Sequence, residues 1–120
     1  MLPVTRTTLQ CGACGFQACI EAVRAGHTAV GIHIKSECEA VRRWAETIQT
    51  VDWRKPLGAK AQTGDFWQSA FLQLKHRSCP VPMAVLKTVE VEIDAALPVD
   101  VHLRFHAPED QTTAGGNTDE

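Results

Sequence analysis

Thr28-Ala29-Val30-Gly31-Ile32-His33-Ile34-Lys35 carries the pattern on which the fold turns. Val30, Ile32 and Ile34 alternate with Gly31, His33 and Lys35, the period-two signature of a half-buried strand. Gly26-His27 just before it suits a turn. Residues 17–25 read either as a short helix or as a strand. Pairing 17–25 with 28–35 as a hairpin explains the whole segment most simply. Behind the strand, Ser36-Glu37-Cys38-Glu39 has the form of a capping box, with Ser36 accepting from the Glu39 amide while Glu39 reaches back. Val41, Trp44, Ala45, Ile48 and Val51 then recur at helical spacing and predict a helix over 37–50 with one buried stripe.

The rest of the chain extends this pattern in both directions. Val4 to Leu9 is rich in threonine and β-branched residues and predicts a first strand. Residues 52–64 read as a loop. Asp65 suits a helix cap, with Gln68 at the matching position, and Trp67, Ala70, Phe71 and Leu74 give the apolar face of a helix over 66–76. In Cys79-Pro80-Val81-Pro82 the prolines fit a helix start. Val85, Leu86, Val89, Ile93 and Leu97 repeat at helical spacing as far as Pro98, predicting a helix over 82–97. Val99, Val101, Leu103 and Phe105 alternate and predict a last strand. The expected fold is α+β: a small, mainly antiparallel sheet from strands near 4–9, 17–25, 28–35 and 99–105, with three helices on one face. Residues 1–106 form one domain on this reading, and the acidic tail 107–120 lacks apolar residues and is expected to be disordered.

Composition narrows the function classes. With 120 residues, 44% hydrophobic and 22% charged, the chain is an ordinary globular domain with one modest core. A formal net charge of -2 offers no attraction for nucleic acid or an anionic membrane. No apolar run approaches a membrane span. The N-terminus Met1-Leu2-Pro3-Val4-Thr5-Arg6 does not read as a signal peptide. A cytoplasmic location is therefore expected, where thiols stay reduced. In that setting five cysteines, an odd number, point to metal or redox chemistry rather than to a disulfide framework.

Cys11-Gly12-Ala13-Cys14-Gly15-Phe16 is the densest chemical signal. Gly12 and Gly15 open backbone angles closed to other residues and let amides approach a bound group. Cys38 and Cys79 fall at expected helix starts, where outward amides and the helix dipole favour a thiolate or an anionic cluster. Amide-rich cysteine sites of this kind suit an iron–sulfur cluster. Cys11, Cys14, Cys38 and Cys79 are the candidate ligands, with Cys11 either a fourth ligand or a neighbouring thiol. Cys19 ranks last, since a strand over 17–25 turns it away from Cys14. Free cysteines also serve as small buried hydrophobes, and Cys19 fits that role.

Zinc on three cysteines and a histidine is the inorganic rival, with His76 and then His33 as the histidine. The single C-x2-C unit tilts the reading to iron and sulfur. A thioredoxin-like dithiol at Cys11 and Cys14 would need a helix directly after the motif, which Gly15-Phe16 and the alternating segment do not offer. Lys87 and Glu90 near Cys79 read as helix-surface charges. His27, His102 and His106 read as turn or surface residues.

Two resemblances add to this reading. Cys11, Cys14, Cys19 and Cys38, spaced C-x2-C-x4-C-x18-C, resemble the small four-iron cluster domain of electron-transport complexes and corrinoid iron–sulfur proteins, over residues 11–38. Cys14-Gly15-Phe16, Ser36-Glu37-Cys38, Cys79-Pro80-Val81-Pro82 with Ala84, Leu86-Lys87 and Glu90-Val91, and Ala96-Leu97-Pro98-Val99-Asp100-Val101 resemble a family of small cysteine-containing proteins of anaerobic microbes. That second resemblance spans nearly the whole chain. It implies a three-cysteine centre on Cys14, Cys38 and Cys79, with no established activity. The two resemblances share Cys14 and Cys38, which therefore rank first as ligands, then Cys79, then Cys11.

The expected function is a [4Fe–4S] protein in electron transfer or cluster delivery, with the cluster at one end of the domain. Cys11, Cys14, Cys38 and Cys79 would be the ligands, with Gly12, Gly15 and Phe16 around the cluster. Cys11 and Phe16 would meet a redox or cluster-accepting protein partner. One alternative is an enzyme that uses an iron left open by a three-cysteine set for sulfur transfer or desulfuration, with His33, His76 and Glu90 as weak candidates for a base. Another is a structural zinc domain. A homo-oligomer with the cluster shared through Cys11 or Cys79 is a further arrangement.

Overall fold

A computed structural model describes residues 4–58 and 64–108. The elements run β1 (Thr5–Gln10), β2 (Gln17–Arg24), β3 (Ala29–Ser36), α1 (Glu39–Thr47), β4 (Thr50–Asp52), α2 (Asp65–Gln73) and α3 (Val81–Glu92). The strands form one antiparallel sheet in the order β1-β2-β3-β4. The hairpin forms as the alternation predicts, with Ile20 opposite Ile34 and Ala22 opposite Ile32. Ala18, Ile20 and Ala22 on β2, and Val30, Ile32 and Ile34 on β3, are buried on one face. Cys19, Glu21 and Val23 occupy the alternate positions and turn to the other face, as a pleat requires.

Helices cover the buried face. α3 lies over β1 and β2, and α1 lies over β3. Val41, Trp44 and Ile48 on α1, and Val81, Val85 and Val89 on α3, join the sheet residues in a single core. α2 packs on α1. The rings of Trp44 and Phe66 meet edge to face with centroids 5.3 Å apart. Trp44 Nε1–H donates to Ser69 Oγ at 2.9 Å, so the buried indole keeps its polar end satisfied. The fold is α+β, as expected.

Several local expectations are corrected. Val51 belongs not to the α1 stripe but to β4, where it pairs with Val30. The helix stops at Thr47 because Thr50-Val51 is β-branched and β3 offers it a free edge. The Ile32 amide also donates to the Gln49 carbonyl at 2.8 Å, carrying the ladder onward. The capping box does not form: Cys38 is the N-cap residue, without a side-chain cap. Ser36 Oγ instead accepts from the Cys38 amide at 3.1 Å, and Glu39 pairs with Arg43. At α2 the cap is Gly64 rather than Asp65, and the deepest aromatic is Phe66 rather than Trp67. Phe71 is half exposed. A one-residue rotation of the helix face is invisible to a pattern in which residues 66, 67, 70, 71 and 74 are all apolar.

The C-terminal third departs most from expectation. α3 ends at Glu92, not near residue 97. Glu92 is held there by Thr5 Oγ1–H at 2.6 Å and by the Arg24 amide at 2.9 Å. Thr5 begins β1 and Arg24 ends β2, so the sheet stops under that turn and a longer helix would cover nothing. Residues 99–105 do not form a strand. Their alternation expresses a tendency to be a strand, but the segment lies on no sheet edge among the described residues. The tail expected to be disordered falls, from residue 109 onward, outside the described residues.

Candidate metal centre

The register gathers the cysteine-bearing segments at one end of the sheet. Gln10 pairs with Gln17, and Ala18 pairs with Ser36. The β1–β2 loop and the β3–α1 junction therefore leave the sheet side by side, and α3 begins over the same end. Gly12 and Gly15 have φ of +92° and +80°, in the left-handed region. A Cβ at either would meet nothing within 4 Å, so the backbone angle, not close packing, calls for glycine there. The loop is closed by the Gly15 amide donating to the Gly12 carbonyl at 2.9 Å and by the Cys11 amide donating to the Phe16 carbonyl at 3.0 Å.

Cys11, Cys14, Cys38 and Cys79 line one hollow of about 390 Å³. Phe16 lines it as well, with Val41 and Leu74 supplying apolar wall. Cys14 is exposed, while Cys11, Cys38 and Cys79 are half-buried against the core. Cys38 stands at the N-cap of α1 rather than in its first turn, and Cys79 lies immediately before the N-cap Pro80 of α3. Cys19 opposes Thr8 and Lys35 on the far face of the sheet, away from the hollow.

The thiols sense one another. Burial pushes the Cys11 thiol up to about 11, helped by Cys79, Cys14 and Cys38 and by a hydrogen bond with Cys14. Burial also raises Cys79, as do Cys38 and Cys14, while the Val81 amide at the start of α3 opposes the rise by bonding its sulfur. That amide is the helix-terminus effect expected from the sequence, and here it is weaker than desolvation.

Other residues reach the hollow that the sequence did not mark as site residues: Glu37, Glu39, Arg42 and Lys75. Arg42 follows Cys38 by four residues, one helical turn, and that spacing was its available signal. Arg42 donates to the Ser36 carbonyl at 3.0 Å. His76 lines the hollow beside Cys79. His33 is opposite Glu21, exposed on the open face of the sheet, and is not part of the wall.

Among the described residues, no group of three or more His, Cys, Asp or Glu side chains is arranged to hold a metal ion. Four thiols thus surround a space without closing on one point. A tetrahedral zinc with Zn–S bonds near ~2.3 Å would draw its sulfurs to within about 4 Å of each other. Thiolates are equally the ligand type of iron–sulfur clusters, so the donor set by residue type suits either group.

A family's sequence model matches residues 5–105. The chain belongs to DUF6951, a family of unknown function. The match takes in the glycine–cysteine loop, Cys38, Cys79 and the segment after α3, so all four thiols of the hollow lie within the family's domain. Comparison with curated proteins and with solved structures gives no match. No helix among the described residues is long and apolar enough to cross a membrane.

Proposed function

We propose that this member of DUF6951 is a cytoplasmic iron–sulfur protein that carries a [4Fe–4S] cluster in electron transfer or cluster delivery. Cys11, Cys14, Cys38 and Cys79 would hold the cluster. One observation carries the reading: four cysteines from three separated segments line a single hollow, while the fifth lies on the opposite face of the sheet. Thiolates are the ligands such clusters take, and Cys₄ is their ordinary complement.

Within this reading the chain's own part is positioning. The two glycines hold Cys11 and Cys14 on one tight loop, and the starts of α1 and α3 supply the other two sulfurs. Phe16, which is 37% exposed, shields the mouth and offers an apolar contact for a redox or cluster-accepting partner. A second reading is an enzyme with one iron free of cysteine, in which Arg42, Lys75 and His76, set against Glu37 and Glu39 in the same wall, would be the polar groups nearest a substrate. Iron, zinc and acid-labile sulfide are to be measured on protein purified without oxygen. About four irons and four sulfides per chain are expected. One zinc without sulfide would replace the cluster with a structural metal site.

A further inference from the structure

After α3 the chain carries an apolar row that is left largely exposed among the described residues. Leu97, Val99, Val101, Leu103 and Phe105 are 57–91% exposed. From Val99 they alternate with Asp100, His102 and Arg104, the pattern of a strand with one face meant for burial. The family's match runs to residue 105, so this segment is part of the domain rather than a linker beyond it. Five large apolar side chains in one row are more than scattered surface hydrophobes and mark an interaction surface.

Among the described residues the sheet also presents a vacant edge. β1 pairs with β2 on one side and ends the sheet on the other. Exposed edges are ordinarily protected by lysine, proline, a bulge or an inward charge. β1, Thr5-Arg6-Thr7-Thr8-Leu9-Gln10, has no lysine or proline, and it pairs with β2 residue for residue without a bulge. Its single charge, Arg6, is matched by Glu21 at 2.7 Å. The edge is therefore open to another strand.

We propose that residues 99–105 of one copy add as a strand to the β1 edge of a second copy, and that the exchange is reciprocal, giving a two-fold dimer. Seven residues meet the six of β1. Val99, Val101, Leu103 and Phe105 lie beside Thr5, Thr7 and Leu9, on the side covered by α3. Asp100, His102 and Arg104 lie beside Arg6, Thr8 and Gln10, on the open side. Among the described residues the segment runs along no edge of its own sheet. Asp94 has φ +63°, and the Ala95 and Ala96 amides both turn back to the Glu90 carbonyl, which reverses the chain sharply after α3. Pro98 then stiffens the connection. Two symmetric additions take both apolar rows out of water and leave neither β1 edge bare.

The test is the mass of the full chain by sedimentation equilibrium with thiols kept reduced, together with hydrogen exchange. The expected result is twice 13.1 kDa. Protection is expected in two places: the β1 amides that do not bond to β2, and alternate amides of 99–105. L103D combined with F105D should give a monomer with unchanged far-UV circular dichroism. A monomeric natural chain would overturn the proposal, and protection of 99–105 in that monomer would mean closure within one chain. A dimer whose β1 edge exchanges freely would place the contact elsewhere and also overturn it. So would a dimer that survives the double substitution. The metal content of the hollow does not enter any of these outcomes.

Discussion

Thr7 Oγ1 and Thr88 Oγ1 lie 2.8 Å apart and join the edge strand to the helix above it. Thr88 is fully buried, and its own hydroxyl donates to the Ala84 carbonyl at 2.7 Å. Thr7 is therefore the donor, and Thr88 is its acceptor. This short chain of hydroxyls sets α3 along β1 and so helps place Cys79 over the end of the sheet. Thr88→Val keeps the shape but removes the acceptor, leaving the Thr7 hydroxyl unpaired, at a cost of about 1–2 kcal/mol. Adding Thr7→Val should cost less than the sum of the two single changes. Denaturant titration of the three variants measures this; strict additivity would mean the contact carries no coupling.

The Trp44–Phe66 contact anchors α2, and α2 leads into the Leu74-Lys75-His76 wall of the hollow. Phe66 is buried, so Phe66→Ala is expected to cost about 3–5 kcal/mol. It should also lower the iron retained on purification, through loosening of the wall rather than loss of a ligand. Phe71→Ala, at a half-exposed position on the same helix, is the control and should leave both properties close to those of the natural chain.

Single Cys→Ser changes should divide by the face of the sheet they occupy. Cys14→Ser, Cys38→Ser and Cys79→Ser are expected to lose most of the iron and sulfide. Cys11→Ser distinguishes four ligands from three: it loses the cluster in the first case and keeps it in the second. Cys19→Ser should keep the full complement. Visible absorption and sulfide content read all five, and a loss confined to Cys19→Ser would refute the assignment of the hollow.

The metal-free protein should weaken in alkali. Cys11 rises in the folded chain from an ordinary 9.0 to about 11. The folded state thus holds a proton that the unfolded state releases, and stability falls as pH climbs from about 9 towards 11. The raised Cys79 thiol acts in the same direction. Thermal melts across that range should show the decline, and Cys11→Ser should make it shallower. A melting temperature that does not respond to pH above 9 would contradict the placement of Cys11 among its neighbours.

Gly12 and Gly15 make a separate prediction because space is not their constraint. Gly15→Ala, at φ +80° with nothing near its Cβ, should cost about 1–2 kcal/mol from backbone strain alone. Gly15→Asn should be milder, since asparagine tolerates the left-handed region better. Equal losses for the two substitutions would point to contacts rather than to the backbone angle.

The sequence by itself determined the hairpin, the α1 stripe as far as Ile48, and the starts of α2 and α3 to within a residue. These depend on local periodicity and on prolines, which act within a few residues. It also pointed to Cys14, Cys38, Cys79 and Cys11 over Cys19, because a period-two strand fixes which face each residue takes. Only the tertiary structure decided where elements stop and what they meet. β4 exists because β3 had a free edge. α3 ends at Glu92 because the sheet beneath it ends at Thr5 and Arg24. Phe66 rather than Trp67 fills the core because α1 presents Trp44 to that side. Arg42 and Lys75 join the thiols because helices from distant parts of the chain converge there. Residues 99–105 have the pattern of a strand and no strand partner among the described residues of their chain, since a strand is completed by the edge it finds and not by its sequence.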